Sequence, residues 1–268
     1  MDLEVAIVGA GFGGLGAALA LHARGRDDFL VFERAGSLGG TWRDNRYPGA
    51  ACDVPSHLYS YSFAPNRAWS RWYSPQPEIR DYLERCARDG GVLDRVRFGH
   101  EVEQLRWDAS ARRWHVETSR GTWRARFVIA APGPLAEPRL PELPGLDAFR
   151  GRAFHTARWP ADLELAGRRV AVIGSGASVV QLVPAIQPRV ARLTVFQRTP
   201  PWVIPRRDFG LERTLAPWLA RAPWLARVLR AGLTRWNAPY LEREKEVEEA
   251  GMREVRSLSA NLKPLVYI

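Results

Sequence analysis

The feature that most constrains this chain is a glycine-rich turn close to its start. Val5-Ala-Ile-Val8 is a short apolar run that stops at Gly9-Ala-Gly11-Phe-Gly13-Gly14, and a stretch of small residues from Leu15 to Ala23 follows. That succession reads as buried strand, tight turn and helix. A second apolar run, Phe29-Leu-Val-Phe32, ends in Glu33 and completes a βαβ unit. GxGxxG alone is a weak signal, but between a strand and a helix each glycine has a mechanical task. Gly9 makes the turn, Gly11 lets backbone approach a pyrophosphate, and Gly14 packs the helix on the strand. The helix N-terminus favours an anion by about 0.3–1 kcal/mol at an exposed site. Glu33, 24 residues beyond Gly9, is expected to accept from the hydroxyls of an adenosine ribose. The competing reading is a structural turn with no ligand.

The same grammar returns later. Val170-Ala-Val-Ile173 is an apolar strand, Gly174-Ser-Gly176-Ala-Ser178-Val179 a turn, Val179 to Ile186 a helix and Leu193-Thr-Val-Phe196 the next strand. The third position of this turn is Val179 rather than Gly or Ala, so a branched side chain is expected to push the helix slightly off its strand and weaken binding without forbidding it. After the strand comes Gln197-Arg198-Thr199, with no acid at the ribose position. An arginine there suits a 2′-phosphate, which favours NADP over NAD; an exposed loop arginine is the alternative. One unit ending in Glu and one in Arg imply FAD at the first and NADPH at the second, the logic of a flavoprotein reductase or monooxygenase.

Between the two units the chain changes texture. Residues 36–74 are rich in Gly, Pro, Tyr, Trp and Ser without either period, which reads as a long ordered loop. Pro77 opens a helix with Ile79, Tyr82, Leu83 and Cys86 on one face, closed by Gly90-Gly91. Strands are expected around 102–107, 113–118 and 123–130, a meander ending in a buried strand. Five prolines from Pro132 to Pro144 mark a linker. The expected fold class is therefore α/β, with two Rossmann-like dinucleotide-binding units in series. Residues 1–145 form the N-terminal part of an FAD-binding domain, 146–206 the first part of an NADP-binding domain, and 207–268 a helical segment. That segment carries a near-duplicated APWLAR at 216–221 and 222–227 and runs helical to about Glu249. It reads as a subdomain covering the nucleotide site, or as a basic amphipathic helix on a membrane surface. Residues 257–268 show no domain-closing logic.

Composition narrows the function classes. A net charge of +10, mostly from arginine, fits a solvated basic surface or the attraction of anionic cofactors, and no nucleic-acid motif accompanies it. Cys52 and Cys86 stand far apart with no CxxC or His/Cys cluster, so neither a disulfide framework nor a metal site is expected, and a reducing cytoplasm fits. The charge-poor run Val5 to Leu21 contains five glycines and is shorter than the roughly 20 apolar residues that span a bilayer.

Phe149-Arg-Gly151-Arg-Ala-Phe-His155-Thr-Ala-Arg-Trp159-Pro160 matches FxGxxxHxxxWP, the fingerprint of Baeyer–Villiger monooxygenases. Five specified positions at roughly 1 in 20 each give a chance match on the order of one in a million per starting point. Gly39-Gly40-Thr41-Trp42 followed by Tyr47-Pro48-Gly49 and Asp53 resembles the family's GGxW…YPGxxxD signature. Gln197 to Pro205 resembles its QRTPxWxxP stretch, and Ala130-Ala-Pro-Gly133 stands where such flavoproteins carry an ATG-like turn. The resemblance spans about residues 3–206.

The resemblance implies that NADPH reduces FAD, that the reduced flavin forms a C4a-peroxide with O2, and that this attacks a ketone to give an ester or lactone. A sister reading is oxygenation of nitrogen or sulfur. It places Gly9, Gly11, Gly14, Glu33, Gly40, Thr41 and Trp42 at FAD, and Gly174, Ser175, Gly176, Arg198 and Thr199 at NADPH. Asp53 matches the family's flavin-side aspartate, which pairs with an arginine that steadies the peroxide. Phe149, Gly151, His155, Trp159 and Pro160 are expected to couple the two domains. The family continues well past this length, so the resemblance also implies a truncated or frame-shifted chain with an incomplete FAD domain. The reading from a different class is a non-enzymatic nucleotide-binding remnant or half of a split enzyme.

Overall fold

The structure is a computed structural model that describes residues 2–199, 208–211, 215–222, 224–235 and the backbone of 265–267. Its contacts divide into two compact units, residues 1–46 with 76–138, and 47–75 with 139–268. The boundary at Pro138 falls inside the proline-rich run. The long loop splits at Arg46, which departs from a contiguous division at 145.

The first unit is built on a six-stranded sheet of order β3-β2-β1-β6-β5-β4. It comprises β1 (Asp2–Val8), α1 (Phe12–His22), β2 (Phe29–Glu33), α2 (Thr41–Asp44), α3 (Gln76–Asp89), β3 (Val96–Phe98), β4 (Val102–Asp108), β5 (Arg113–Thr118) and β6 (Gly121–Ala130). β1 pairs in parallel with β2, Val5 opposite Phe29, and with β6, Val8 opposite Ala130. β6, β5 and β4 form the expected antiparallel meander. Val5, Ala6 and Ile7 of β1 are buried, as are Gly14, Leu15, Ala18 and Leu19 of α1.

α3 buries Ile79, Tyr82, Leu83 and Ala87, while Cys86 is only half-buried. The helix ends as its glycines demand. Gly91 adopts φ +67°, and Val92 N–H donates to the Ala87 carbonyl at 3.1 Å, a left-handed C-terminal cap. A Cβ at Gly90 would lie 2.2 Å from a Leu19 methyl carbon, so α3 meets α1 through bare backbone.

Two expectations need correcting here. The 36–74 stretch contains one regular turn, α2. β6, expected as a buried strand, buries only Ala125. Arg124 and Arg126 alternate along it and pair with Asp2 at 2.8 Å and Glu4 at 3.2 Å on β1. The period of two that puts Ala125 inside thus turns two guanidinium groups outward.

The second unit carries a four-stranded sheet of order β7-β10-β8-β9. Its elements are β7 (Ala153–His155), β8 (Arg169–Ile173), α4 (Ala177–Ile186), β9 (Arg192–Phe196), α5 (Ala216–Arg221), α6 (224–235) and β10 (Leu265–Tyr267). β8 and β9 are parallel, and β10 runs antiparallel to β7 and β8. The closing residues therefore do contribute an element, a strand in this sheet, which their local pattern did not announce. α5 and α6 cover the APWLAR duplication; residues 236–249 of the expected helix lie outside the described residues. Among the described residues no helix is long and apolar enough to cross a membrane.

The core of this unit gathers Leu165, Val170, Val172, Val179, Leu182 and Ile186 with Tyr47 and Ala50 from the loop. That is why 47–75 belongs here: a Cβ on Gly49 would lie 2.5 Å from the Gln181 carbonyl of α4, so loop backbone rests directly on helix backbone. The loop is internally ordered. Cys52 N–H donates to the Ser74 carbonyl and Ser56 N–H to that of Trp72, at 2.9 and 2.8 Å. Arg230 of α6 reaches the carbonyls of His57, Leu58 and Ser60 at 3.2, 2.9 and 2.8 Å. His57 itself is 3% exposed, and burial lowers its pKa from 6.5 to about 4.

Two outcomes follow for stability. A Cβ at residue 14 would sit 1.8 Å from the Gly9 carbonyl oxygen, whereas one at residue 176 meets nothing within 4 Å. Gly14→Ala is expected to cost about 3 kcal/mol or more and Gly176→Ala no more than about 1 kcal/mol, read from denaturant unfolding. Equal losses would refute the packing argument. For His57, the unfolded imidazole takes a proton near pH 6.5 and the folded one only near 4. Its neutral burial is therefore fully tolerated above the unfolded value, and stability falls as the pH drops through that window, by up to about 3 kcal/mol. His57→Phe should flatten that part of the unfolding-versus-pH curve; an unchanged slope would show that other groups carry it.

Candidate nucleotide-binding sites

In the first unit three chain segments meet at the C-terminal ends of the parallel strands β1, β2 and β6, where open α/β sheets place ligands. Gly9, at φ +92°, donates its N–H to the Phe32 carbonyl at 2.8 Å, which hooks the turn onto the end of β2. Added at Gly9, a Cβ would meet the Ala131 carbonyl oxygen at 2.4 Å, so the turn also abuts the Ala130–Gly133 segment. Ala131 N–H in turn donates to Val8 at 2.9 Å. Gly11 caps α1 with no side-chain hydrogen bond, and the first turn of α1 carries no acid. The amides there are left for an anion.

Gly39 N–H donates to the Ala10 carbonyl at 3.1 Å. Gly40, at φ +51°, comes so close to Gly11 that a Cβ on it would lie 3.2 Å from the Gly11 Cα. Thr41 and Trp42 follow in α2, both half-buried. Thr41 accepts from Asn45 Nδ2 at 2.9 Å through its carbonyl, and Gln76 Nε2 donates to the Trp42 carbonyl. The residues expected around FAD, Gly9, Gly11, Gly14, Glu33, Gly40, Thr41 and Trp42, thus all lie in this one unit.

Glu33 has a task the sequence did not suggest. It is 4% exposed. Its Oε2 accepts from Ala10 N–H at 2.9 Å, and its Oε1 accepts from Ala35 N–H at 2.9 Å and Arg43 Nη1 at 2.8 Å. A carboxylate offers about four acceptor sites, so this one braces the turn before it can serve a ribose. Arg43, also missed from sequence, is only 14% exposed at its side chain. Although burial alone would lower its pKa, its bonds to Asp44 and Glu33 raise it above the ordinary arginine value.

The second turn repeats the first. Gly174, at φ +121°, donates to the Phe196 carbonyl at 2.8 Å, the same hook onto the neighbouring strand. Gly176 caps α4 with no side-chain hydrogen bond and no acid in the first turn. Ser175 Oγ donates to the Thr199 carbonyl at 3.1 Å, which joins the turn to the segment after β9. Arg198 and Thr199 are exposed there. Val179, expected to push the helix away, is 4% exposed and packed in the core with Val170, Val172 and Leu182. Its N–H still donates to the Gly176 carbonyl at 2.9 Å, so the branched side chain is absorbed as core volume.

Asp53 lies in this second unit, exposed, and accepts from Gln181 Nε2 of α4. Gln181 also accepts from the Tyr47 hydroxyl at 2.9 Å. Burial pushes the Tyr47 phenol above its ordinary value, with the Asp53 charge adding to the effect, so Tyr47 stays protonated as a donor. Sequence reasoning missed Gln181; the available signal was one polar residue in the apolar run Val179-Val-Gln-Leu-Val183.

The 149–160 fingerprint does not converge on a point. Phe149 is 44% exposed and Gly151 exposed. His155 is buried, and its Nδ1 accepts from Ala157 N–H at 3.0 Å to cap the 3₁₀ turn Thr156–Arg158. Trp159, followed by Pro160, stands edge-on to Phe154 with centroids 5.4 Å apart, against the core of the second unit.

Comparison with known proteins agrees with this geometry. Residues 6–249 match the family model described as pyridine nucleotide-disulphide oxidoreductase. A Baeyer–Villiger monooxygenase of Streptomyces coelicolor is 58% identical over 216 residues, 80% of this chain and 42% of that protein. One of Pseudomonas aeruginosa is 46% identical over 231 residues, 86% of this chain and 44% of that protein. The crystal structure of cyclohexanone monooxygenase from Rhodococcus sp. Phi1 bound to NADP+ superposes with a TM-score of 0.77 at 38% identity, covering 82% of this chain and 43% of that one. The chain thus spans less than half the length of the curated relatives it matches. Two glycine turns of one design, the fingerprint at 149–160 and these similarities together show that the chain belongs to the pyridine nucleotide-disulphide oxidoreductase family and, within it, to the Baeyer–Villiger, or class B flavoprotein, monooxygenases.

Proposed function

We propose that this chain serves an FAD- and NADPH-dependent monooxygenase of the Baeyer–Villiger type, acting in the cytoplasm on small-molecule ketones. The observation that carries the reading is the pair of equivalent turns with opposite ends: Gly9 and Gly174 make the same 2.8 Å hook, but one strand continues into buried Glu33 and the other into exposed Arg198. The residues fit the two cofactors. At the first turn, bare glycine backbone at Gly11 and Gly40 and the uncapped start of α1 suit a pyrophosphate, and the Glu33 carboxylate repels a 2′-phosphate. At the second, the uncapped start of α4 suits another pyrophosphate and the Arg198 guanidinium a 2′-phosphate. The relatives' names give the chemistry: a cyclohexanone monooxygenase is similar over most of this chain.

When bound, FAD supplies the redox chemistry, taking a hydride from NADPH and reducing O2 so that one oxygen enters the substrate and the other leaves as water. The chain's own residues bind and orient. The helix starts would hold the two pyrophosphates, Glu33 and Arg43 stiffen the first turn, and Ser175 and Thr199 join the second turn to the segment after β9 that carries Arg198. By resemblance to the family, Asp53 orients an arginine whose charge stabilises developing negative charge on the reacting oxygen.

Purified protein should take up FAD and turn yellow, and should oxidise NADPH with oxygenation of cyclic or aryl ketones; protein that stays colourless with excess FAD would end the reading, and turnover of sulfides or amines alone would move it to heteroatom oxygenation. Arg198→Ala is expected to raise the KM for NADPH on the order of tenfold and leave that for NADH nearly unchanged. Equal effects on both coenzymes would remove Arg198 from the 2′-phosphate. Asp53→Ala should spare FAD binding yet divert NADPH oxidation away from oxygenated product. Unchanged coupling would refute that role.

A further inference from the structure

One side chain of α4 makes four hydrogen bonds to the loop that carries Asp53. Gln181 Oε1 accepts from the Tyr47 hydroxyl at 2.9 Å and from Ala51 N–H at 3.3 Å, while its Nε2 donates to the Ala51 carbonyl at 3.0 Å and to Asp53 Oδ1. A carboxamide has two acceptor lone pairs and two N–H donors, and all four are used. Its orientation is thereby determined. Turned over, the amide would face Ala51 N–H with an NH2 group and the Asp53 carboxylate with an oxygen, which replaces attraction with repulsion at both. The contacts span 128 to 134 residues of sequence and tie residues 47–53 to α4.

The helix side of the contact is equally constrained. Gln181 lies in the second turn of α4, whose start forms the Gly174–Gly176 turn, and its own carbonyl sits 2.5 Å from where a Cβ of Gly49 would be. Side chain and backbone of one residue therefore fix both ends of residues 49–53.

We infer that Gln181 is a positioning residue: it orients the Asp53 carboxylate and ties it to the helix that carries the second nucleotide turn. This rests on the reading of Asp53 given above. An anchor that merely held Tyr47 and Ala51 would use the acceptor Oε1 and one Nε2 proton, the one given to the Ala51 carbonyl. Orienting Asp53 needs the second Nε2 proton. Gln181→Glu keeps the acceptor for Tyr47 and for Ala51 N–H and sets oxygen against oxygen at both the Ala51 carbonyl and Asp53; only the second clash is relieved by changing Asp53, so Asp53→Asn on that background separates the two roles.

The test is a double-mutant cycle between Gln181→Glu and Asp53→Asn, read by hydrogen exchange of amides 51–54 in the protein without cofactors, and by product formed per NADPH oxidised in the FAD-loaded protein. Gln181→Glu is expected to speed exchange about tenfold, the loss of a charge-assisted bond. Adding Asp53→Asn, whose amide can donate to Glu, should bring exchange back to within about threefold of the starting protein. In the loaded protein Gln181→Leu should lower the product yield per NADPH about fivefold with FAD affinity unchanged. Exchange that is unmoved by Gln181→Glu, or not rescued by Asp53→Asn, overturns the inference. So does full coupling in Gln181→Leu where Asp53→Ala uncouples. Coupling that survives Asp53→Ala instead overturns the functional role given to Asp53, while the exchange cycle still decides the contact.

Discussion

The first unit depends on one close approach, the carbonyl of Gly9 against the start of α1 at Gly14. A Cβ at Gly14 would lie 1.8 Å from that carbonyl oxygen, so only glycine lets the helix begin where the strand ends. Because it begins there, the amides of its first turn point out beyond the edge of β1, and the aligned peptide dipoles put partial positive charge at the same place. The hook from Gly9 to Phe32 then ties this helix start to β2. Binding geometry here is a by-product of packing: the contact that buries Leu15, Ala18 and Leu19 against the sheet also aims the amides.

The second unit reaches a similar turn by another route. Its helix carries Val179 where the first carries Gly14, and the valine fills core space beside Val170 and Val172. The glycine economy is shifted to Gly49, whose φ of +83° lets the 47–53 loop lie on α4. Helix α4 is thus covered by a piece of chain that comes before the whole of the first meander in sequence. The same loop then extends to Arg230 of α6 through the carbonyls of 57, 58 and 60.

What was legible in the sequence was what local periodicity encodes. Both βαβ units, the α3 face, the meander and the proline-rich boundary follow from patterns within a dozen residues, and the glycine turns sit where those patterns place them. What was not legible depended on distant partners. Nothing in residues 47–75 says they belong with α4 rather than with α2 just before them, because Gln181 lies 134 positions beyond Tyr47. β6 looked buried because its apolar residues outnumber its arginines, but Arg124 and Arg126 fall on one face and find Asp2 and Glu4 only through the parallel register with β1. The strand at 265–267 is recognisable only once β7 and β8 stand ready to pair with it. Glu33 was read correctly as a residue at the strand end, yet its engagement by Arg43 and two amides was hidden.

That engagement explains why the two turns, so alike in backbone, differ in what they suit. At the first, Glu33 is buried and acts as an acceptor for Ala10, Ala35 and Arg43. Arg43 is consumed in holding that carboxylate and Asp44, so its charge is neutralised at close range and offers little to an incoming phosphate. Two carboxylates, Glu33 and Asp44, against the one guanidinium of Arg43 leave this cluster a net negative charge, which disfavours a second anion beside it. At the second turn the polarity is reversed and the dielectric is high, since Arg198 is exposed. There, on the assignment proposed above, an exposed guanidinium would meet a phosphate in a bidentate grip at the surface. On that assignment, discrimination between an adenosine ribose with a free 2′-hydroxyl and one with a 2′-phosphate would lie less in the glycines than in the contrast between a buried carboxylate at one strand end and an exposed guanidinium just past the other.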